Sequence, residues 1–238
     1  MTDTLHVLLA VQDLDLAADQ LRHRRAHLPE RAELTGIDER ATAARAELDR
    51  LEQSRRALGE RQAATEAELA ATEDRAGTLN RRLFGGEVTA SRDLQAMSAE
   101  LDQLKSRASA LEDVVLETME EREPLDARAA EIERDVLVLA GERGGVVERL
   151  AGAEAGIDAE LADLEGRLRD AAASVPEGLL ATYERLRTRL GGVGVARLVG
   201  NRCDGCHLTL SAAELEQVRH LPEGQVYQCE QCSRILVP

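Results

Sequence analysis

Aromatic residues are almost missing from this chain: two Tyr, one Phe and no Trp among 238 residues. Large aromatic side chains supply much of the buried area of ordinary cores. Their scarcity excludes a conventional globular core and predicts stabilisation through long helix contacts. No run of 18 apolar residues occurs, so no membrane span is expected. The opening residues, Met1-Thr-Asp-Thr-Leu-His6, lack the basic and apolar regions of a secretory signal. A cytoplasmic location is therefore expected. No glycine-rich phosphate loop and no nucleophile elbow is found. The expectation is a protein that is not an enzyme, with no membrane partner and no small-molecule substrate.

What the chain has instead is charge and helix formers. Charged residues make up 32%, and the net charge is −15. A bias to Ala, Leu, Glu and Arg is the signature of long helices and coiled coils. The charge is unevenly placed. Residues 183–238 carry 7 basic and 6 acidic residues, so the whole of the acidic excess lies before them. That earlier part would repel nucleic-acid phosphates.

Apolar residues recur in alternating steps of three and four, the heptad spacing of helices packed lengthwise. A first seam runs Val7, Val11, Leu14, Ala18, Leu21 and Leu28, with Arg25 as its polar exception. A second runs from Leu34 and Ile37 through Ala41, Leu48, Leu58 and Leu69 to Leu83, with Arg55, Gln62, Thr65 and Thr72 among its polar positions. The two are out of register, which places a joint at about 29–36, beginning at Pro29. Phe84-Gly85-Gly86 marks a turn at about 84–90, after which Thr89 or Ser91 can cap the return helix. The return seam runs from Leu94 to Ile157 and on to Leu168. Such a helix would measure about 110–120 Å, with a kink rather than an end at Pro124. Folding about Gly86 pairs positions whose numbers total about 174. Pro29 should then face Gly144 and Gly145, and Arg55 and Gln62 should lie near Thr118 and Arg122.

A neck helix is expected from about Pro176 to Leu190, with Tyr183 and Leu186 inward and Arg185, Arg187 and Arg189 mostly outward. Gly191-Gly192-Val193-Gly194 reads as a flexible link. Strands are expected over 195–202, 225–228 and 234–237. The four cysteines fall in two pairs, Cys203-Asp-Gly-Cys206 and Cys229-Glu-Gln-Cys232, 22 residues apart. In a reducing compartment this spacing reads as one structural zinc ion held by four thiolates. The closed shell leaves no position for water or substrate. His207 and His220 are spare candidate ligands.

The expected fold class is mainly α: a long antiparallel coiled-coil helical hairpin with a small C-terminal β zinc ribbon. The expected domains are a hairpin over 1–174, a neck helix and linker over 175–192, and the ribbon over 193–238.

The segment Val195-Ala-Arg-Leu-Val-Gly-Asn-Arg-Cys-Asp-Gly-Cys206, with Cys229-Glu-Gln-Cys-Ser-Arg-Ile-Leu236, resembles a bacterial domain-of-unknown-function family of coiled-coil proteins with a C-terminal four-cysteine zinc ribbon. Leu83 to Leu94 resembles that family's hairpin tip. Ser233 stands where a glycine is usual, and Val237 where an aromatic is common. The resemblance implies an adaptor or chaperone-like role, as in relatives that serve an alternative sigma factor or flagellar and secretion components. It also implies RNA binding for some relatives.

Two functional readings follow. In the first, the chain is a non-enzymatic adaptor with protein partners, and Arg81, Arg82, Phe84 and Arg92 at the tip are the candidate contact. In the second, the ribbon binds nucleic acid through Arg185, Arg187, Arg189, Arg197, Arg202, Arg219 and Arg234, with few aromatics available for base stacking. A hairpin assisting catalysis in an RNA polymerase channel would need paired acids at the tip to hold magnesium, where only Glu87 stands.

Overall fold

The computed structural model describes residues 2–86, 88–222 and 225–238. Three helices make up most of the chain: α1 (Thr2–Ala26), α2 (Pro29–Phe84) and α3 (Ser91–Ala172). A short helix α4 (Glu177–Arg189) leads to β1 (Val195–Val199) and β2 (Arg202–Cys203). Helix α5 (Ala212–Arg219), β3 (Tyr227–Gln228) and β4 (Ile235–Val237) complete the order. The chain is thus a long helical hairpin with a small C-terminal strand region. Among the described residues, no helix is long and apolar enough to cross a membrane.

Packing divides the chain into two compact units, residues 33–146 and residues 1–32 with 147–238. The partition at 174 and 192 expected from the sequence follows the chain; the contacts group α1, the end of α3, α4 and the ribbon together. The physical reason lies in α1, described below.

Residues 33–146 form the part of the hairpin that includes the turn. Every expected seam position here is buried or half-buried except Arg143. Leu34, Ile37, Ala41, Leu139 and Val146 form its main apolar cluster. Ion pairs flank the seam: Arg75 with Glu100, Arg107 with Glu68, Arg128 with Glu47, and Arg143 with Asp38. The first three pairs total 175, close to the expected 174, while Arg143 with Asp38, farther from the turn, totals 181. The cap position falls to Ala90, between the two expected candidates; its carbonyl accepts from Asp93 and Leu94. Helix α3 continues through Pro124. Near it the seam turns polar, and Arg55 and Arg122 both pair with Asp126. Gln62 bonds Glu66 of its own helix.

In residues 1–32 and 147–238, the break between α1 and α2 is confined to His27 and Leu28, and helix resumes at Pro29 and runs on through Gly36. Proline is tolerated there because a first-turn amide has no intrahelical partner. Arg31 bonds Glu154 and Arg25 bonds Asp158. Pro29 therefore lies opposite the Glu154 region, about ten residues beyond the expected Gly144-Gly145.

Helix α1 is buried on two faces. Its expected seam runs beside α3, where Arg22 also bonds Glu165. A second face, with Leu5, Leu8 and Leu9 buried, packs on Val175, Tyr183 and Leu186 from the α4 region and on Val195, Ile235 and Val237 from the sheet. Two polar residues on α1 are buried with it. Gln12 donates through Nε2 to the Val195 carbonyl at 3.0 Å, and its Oε1 accepts from the Val195 amide at 2.7 Å. The side-chain amide thus replaces a strand neighbour at the start of β1. Asp15 accepts a 2.6 Å hydrogen bond from the Tyr183 hydroxyl and lies 3.6 Å from Arg187, which also bonds Asp19.

The sheet order is β2-β1-β4-β3, with β1 and β4 parallel and both outer pairings antiparallel. The expected strand over 195–202 folds back at Gly200, whose φ of +66° suits a tight hairpin turn. The expected flexible link is closely packed at its end. Gly194 is buried, and a Cβ there would stand 3.0 Å from the Tyr183 ring and carbonyl. Helix α5, which the sequence reading does not include, opens on a capping box between Ser211 and Glu214.

Two outcomes are expected. Gln12→Ala strands a buried amide and carbonyl on Val195, and should cost about 2–4 kcal/mol in denaturant unfolding, with early exchange of the Val195 amide. Tyr183 supplies a pH test. Burial first, then the bond to Asp15, raises its phenol pKa far above the usual value. The unfolded chain therefore loses this proton more readily, so the contribution is complete below about pH 10 and falls as pH rises further. Tyr183→Phe should lower stability at neutral pH and flatten that alkaline limb.

Candidate metal centre

Each cysteine pair sits on a tight backbone turn, and the two turns have the same hydrogen bonds. The Cys203 amide donates to the Leu208 carbonyl, and the Cys229 amide to the Arg234 carbonyl. The His207 amide donates to the Cys203 carbonyl, and the Ser233 amide to the Cys229 carbonyl. In each turn the nearby backbone amides favour ionisation of the first sulfur: those of Cys206 and Gly205 for Cys203, and of Gln231 and Cys232 for Cys229. The sheet brings the turns together, because β2 ends on Cys203 while Cys229 follows β3 and Cys232 precedes β4.

The sulfur geometry suits zinc. All four Sγ atoms lie within 4.8 Å of one another. Cys203 and Cys232 are separated by 3.9 Å, and Cys206 and Cys229 by 3.8 Å. A tetrahedron with Zn–S bonds of 2.3 Å has edges of about 3.8 Å. The four cysteines form a closed site for one structural Zn²⁺. Burial pushes the Cys203 thiol up to about 12 and raises Cys229 as well. Burial opposes ionisation at Cys232 too, but hydrogen bonds from the Arg234 backbone and side chain outweigh it, and its pKa falls. A buried thiol cluster of this kind calls for a cation, since a coordinating metal deprotonates its thiols. His207 and His220 are not in the cluster. His220 contacts Glu216 of its own helix instead.

Two residues that follow the second cysteine of each turn have left-handed backbone: His207 and Ser233, both at φ 62°. The expected absence of a usual glycine at Ser233 is thus a real conformational cost, since non-glycine residues pay about 1–2 kcal/mol there.

The arginines singled out from the sequence separate into two sets. Arg234 is committed to the turns: its Nε donates to the Val193 carbonyl at 3.1 Å and its Nη1 to the Gly205 carbonyl at 3.3 Å. A Cβ on Gly205 would stand 2.6 Å from the Arg234 Cδ, so this residue must be small. Arg187 points inward to Asp15 and Asp19, a correction to its expected outward placement. It occupies the buried side of α4 because Asp15 there needs a counter-charge. Arg185, Arg189, Arg197, Arg202 and Arg219 are exposed, with Arg202 bonded to the His207 carbonyl and Arg219 near Glu216.

At the hairpin turn, Arg81, Arg82, Phe84 and Arg92 are all exposed. Phe84 is 79% exposed, so it does not pack between the helix ends. Glu87 lies outside the described residues. Sequence reasoning missed Gln12 and Asp15, and no local signal marks them. It also missed the helix opened by Ser211-Ala-Ala-Glu214, where the capping-box pattern was available.

Comparison with known proteins agrees with this construction. The CT398-like coiled coil hairpin domain matches residues 11–191, and the C4-type zinc ribbon domain matches residues 202–236. An uncharacterized protein of Mycobacterium tuberculosis is 30% identical over 230 residues, covering 97% of this chain and 93% of its own. A solved structure from Mycobacterium smegmatis superposes with a TM-score of 0.87 at 23% identity, covering 100% of this chain and 98% of that one. CT398 from Chlamydia trachomatis gives 0.74 at 21%, covering 98% and 97%. These structures share the fold.

Metal loading should follow the geometry. Cys229→Ser should abolish zinc retention after gel filtration, measured by metal analysis. Ser233→Gly should keep the metal and slow its loss to a chelator by a few-fold, corresponding to about 0.5–1 kcal/mol of relieved backbone strain.

Proposed function

The chain belongs to the CT398-like coiled coil hairpin family, and from that premise we propose that it is a non-enzymatic, zinc-binding adaptor with a chaperone-like role towards protein partners. The observation that carries the reading is Phe84. It is the chain's one phenylalanine, and it stands exposed at the hairpin turn among exposed Arg81, Arg82 and Arg92. Aromatic and arginine side chains are the commonest anchors of protein interfaces. An aromatic left in water, in a chain with almost none to bury, fits a contact surface better than a packing element.

The zinc site supports a scaffold role. Four thiolates close its coordination shell, which leaves no place for substrate. Cysteines kept for a metal suit the reducing cytoplasm. The resemblance to relatives that serve a sigma factor suggests a link to transcription. Nucleic-acid binding by the ribbon has weaker support, since Arg187 and Arg234 are engaged inside the fold and the remaining arginines lack aromatic company.

The test is affinity purification of the tagged chain from its host, with wild type, Phe84→Ala and the exposed control Arg56→Ala side by side. Phe84→Ala should lose at least one co-purifying protein that the control retains. An identical set of proteins from all three would sink the tip as the contact.

A further inference from the structure

Within α3, Leu116 and Met119 stand 57% and 50% exposed. They belong to one stripe. Glu112, Leu116, Met119, Glu120 and Glu123 follow at the spacing i, i+4, i+7, i+8 and i+11, which keeps to a single helix face. All five are exposed. The whole stripe lies within the compact unit of residues 33–146.

The stripe borders a groove of about 470 Å³. Leu116, Met119, Glu120 and Glu123 line one side, and Gln62 of α2 lines the other. Two features keep it open. Gly59, one turn before Gln62, has no side chain, and a Cβ there would meet only the Arg122 Nη1 within 4 Å. Gln62 itself is drawn along its own helix to Glu66. Pro124 then brings no amide to the Glu120 carbonyl, so the helix leaves an extra acceptor at the height of the groove.

Charge decides what fits here. On the same helix Glu117 and Glu121 pair with Arg61, and Asp126 pairs with Arg55. Glu112, Glu120 and Glu123 have no ion pair or side-chain hydrogen bond among the described residues. Three uncompensated carboxylates around two apolar side chains match cations around apolar groups. Nucleic acids and anionic membranes are repelled. A second copy laid face to face fails as well: reversal about the Leu116–Met119 pair puts Glu112 opposite Glu123, like against like. A lone metal ion fails too, since among the described residues only the four cysteines gather as ligands.

We propose that this groove docks a basic amphipathic helix of a partner protein. Two apolar side chains of that helix, three or four residues apart, pack on Leu116 and Met119. Lys or Arg side chains on its flanks meet Glu112, Glu120 and Glu123. Methionine suits such a surface because its unbranched thioether adapts to varied shapes. Leu116 lies about 38 Å along α3 from Ser91. The groove is therefore a second contact, separate from Phe84 and independent of it.

The probe is a labelled, helix-forming Leu/Lys peptide about four turns long, titrated into the zinc-loaded full chain. A contact of this size fits a Kd of about 1–100 μM. Leu116→Gln with Met119→Gln should weaken binding at least about tenfold. Glu112→Gln, Glu120→Gln and Glu123→Gln together should do the same. Glu39→Gln, Asp49→Asn and Glu73→Gln together remove equal charge elsewhere and should cost less than about threefold. Phe84→Ala should bind as wild type does, which separates this site from the tip contact. All the substituted residues are exposed, so helicity by circular dichroism should be unchanged. With the methionine methyls labelled for NMR, the peptide should move the Met119 signal and leave the Met97 signal in place. A peptide that does not bind would overturn the proposal. So would equal losses from the two charge-removal sets, an unmoved Met119 signal, or self-association abolished by Leu116→Gln.

Discussion

The C-terminal sheet is too small to hold itself, and four thiolates converging on one metal position are what make it a structure. Its strands have two to five residues, and two of them are only two residues long. Zinc sites in domains of this size supply folding free energy directly, about 10–16 kcal/mol for peptides. With both turns tied, β1 and β4 must lie side by side, and their alternation sorts residues to two faces. Ala196 and Leu236 pack with the cysteines on one face. Val195, Ile235 and Val237 point to the other and pack on α1 and α4. The sheet is a middle layer between a metal site and a helical layer.

That second face explains why α1 carries more apolar residues than a two-helix seam requires. It also explains the buried polar contacts. A parallel pair of short strands leaves the first residue of β1 without a neighbour on one side, and Gln12 supplies both a donor and an acceptor to it. Tyr183, which must bury its ring in a core almost without aromatics, finds Asp15 for its hydroxyl, and Arg187 balances the charge. The Arg187 Nε, 3.6 Å from Asp15, is the one buried atom of this network without a hydrogen bond.

Residues 33–146 follow a different rule. A narrow seam of Leu, Ile, Val and Ala carries the burial, with exposed ion pairs along its flanks. Exposed pairs contribute little individually, about 0–1 kcal/mol. They act more through register, because a shifted α3 would leave several arginines facing no carboxylate. Where the seam is interrupted by Arg55 and Arg122, both guanidinium groups share Asp126. Each guanidinium thus has a counter-charge at the seam, although the Arg122 Nε, 3.4 Å from Asp126, is buried without a hydrogen bond.

Much of this was legible in residue spacing. The seam positions from Leu94 to Leu168 are buried or half-buried with Arg143 as the exception, because a helix repeats over three or four residues and its inward face is a local property. The four ligands were legible for a similar reason: a C-x-x-C turn presents both sulfurs whatever surrounds it. The pairing register was read about seven residues, or two helical turns, short at Asp38 and Arg143, since it depends on how the chain passes from Phe84 to Ser91. Gln12, Asp15, Arg187 and Arg234 were not legible as interior residues. A polar side chain on a helix or beside a turn looks solvent-exposed until another segment arrives, and the partner of Gln12 lies 183 residues away. Short-range repeats therefore determined the elements and the metal ligands, while only the tertiary structure, through α1 meeting the ribbon and α4, decided that Gln12, Asp15 and Arg187 are drawn inside, because desolvation depends on what is nearby in space and not in sequence.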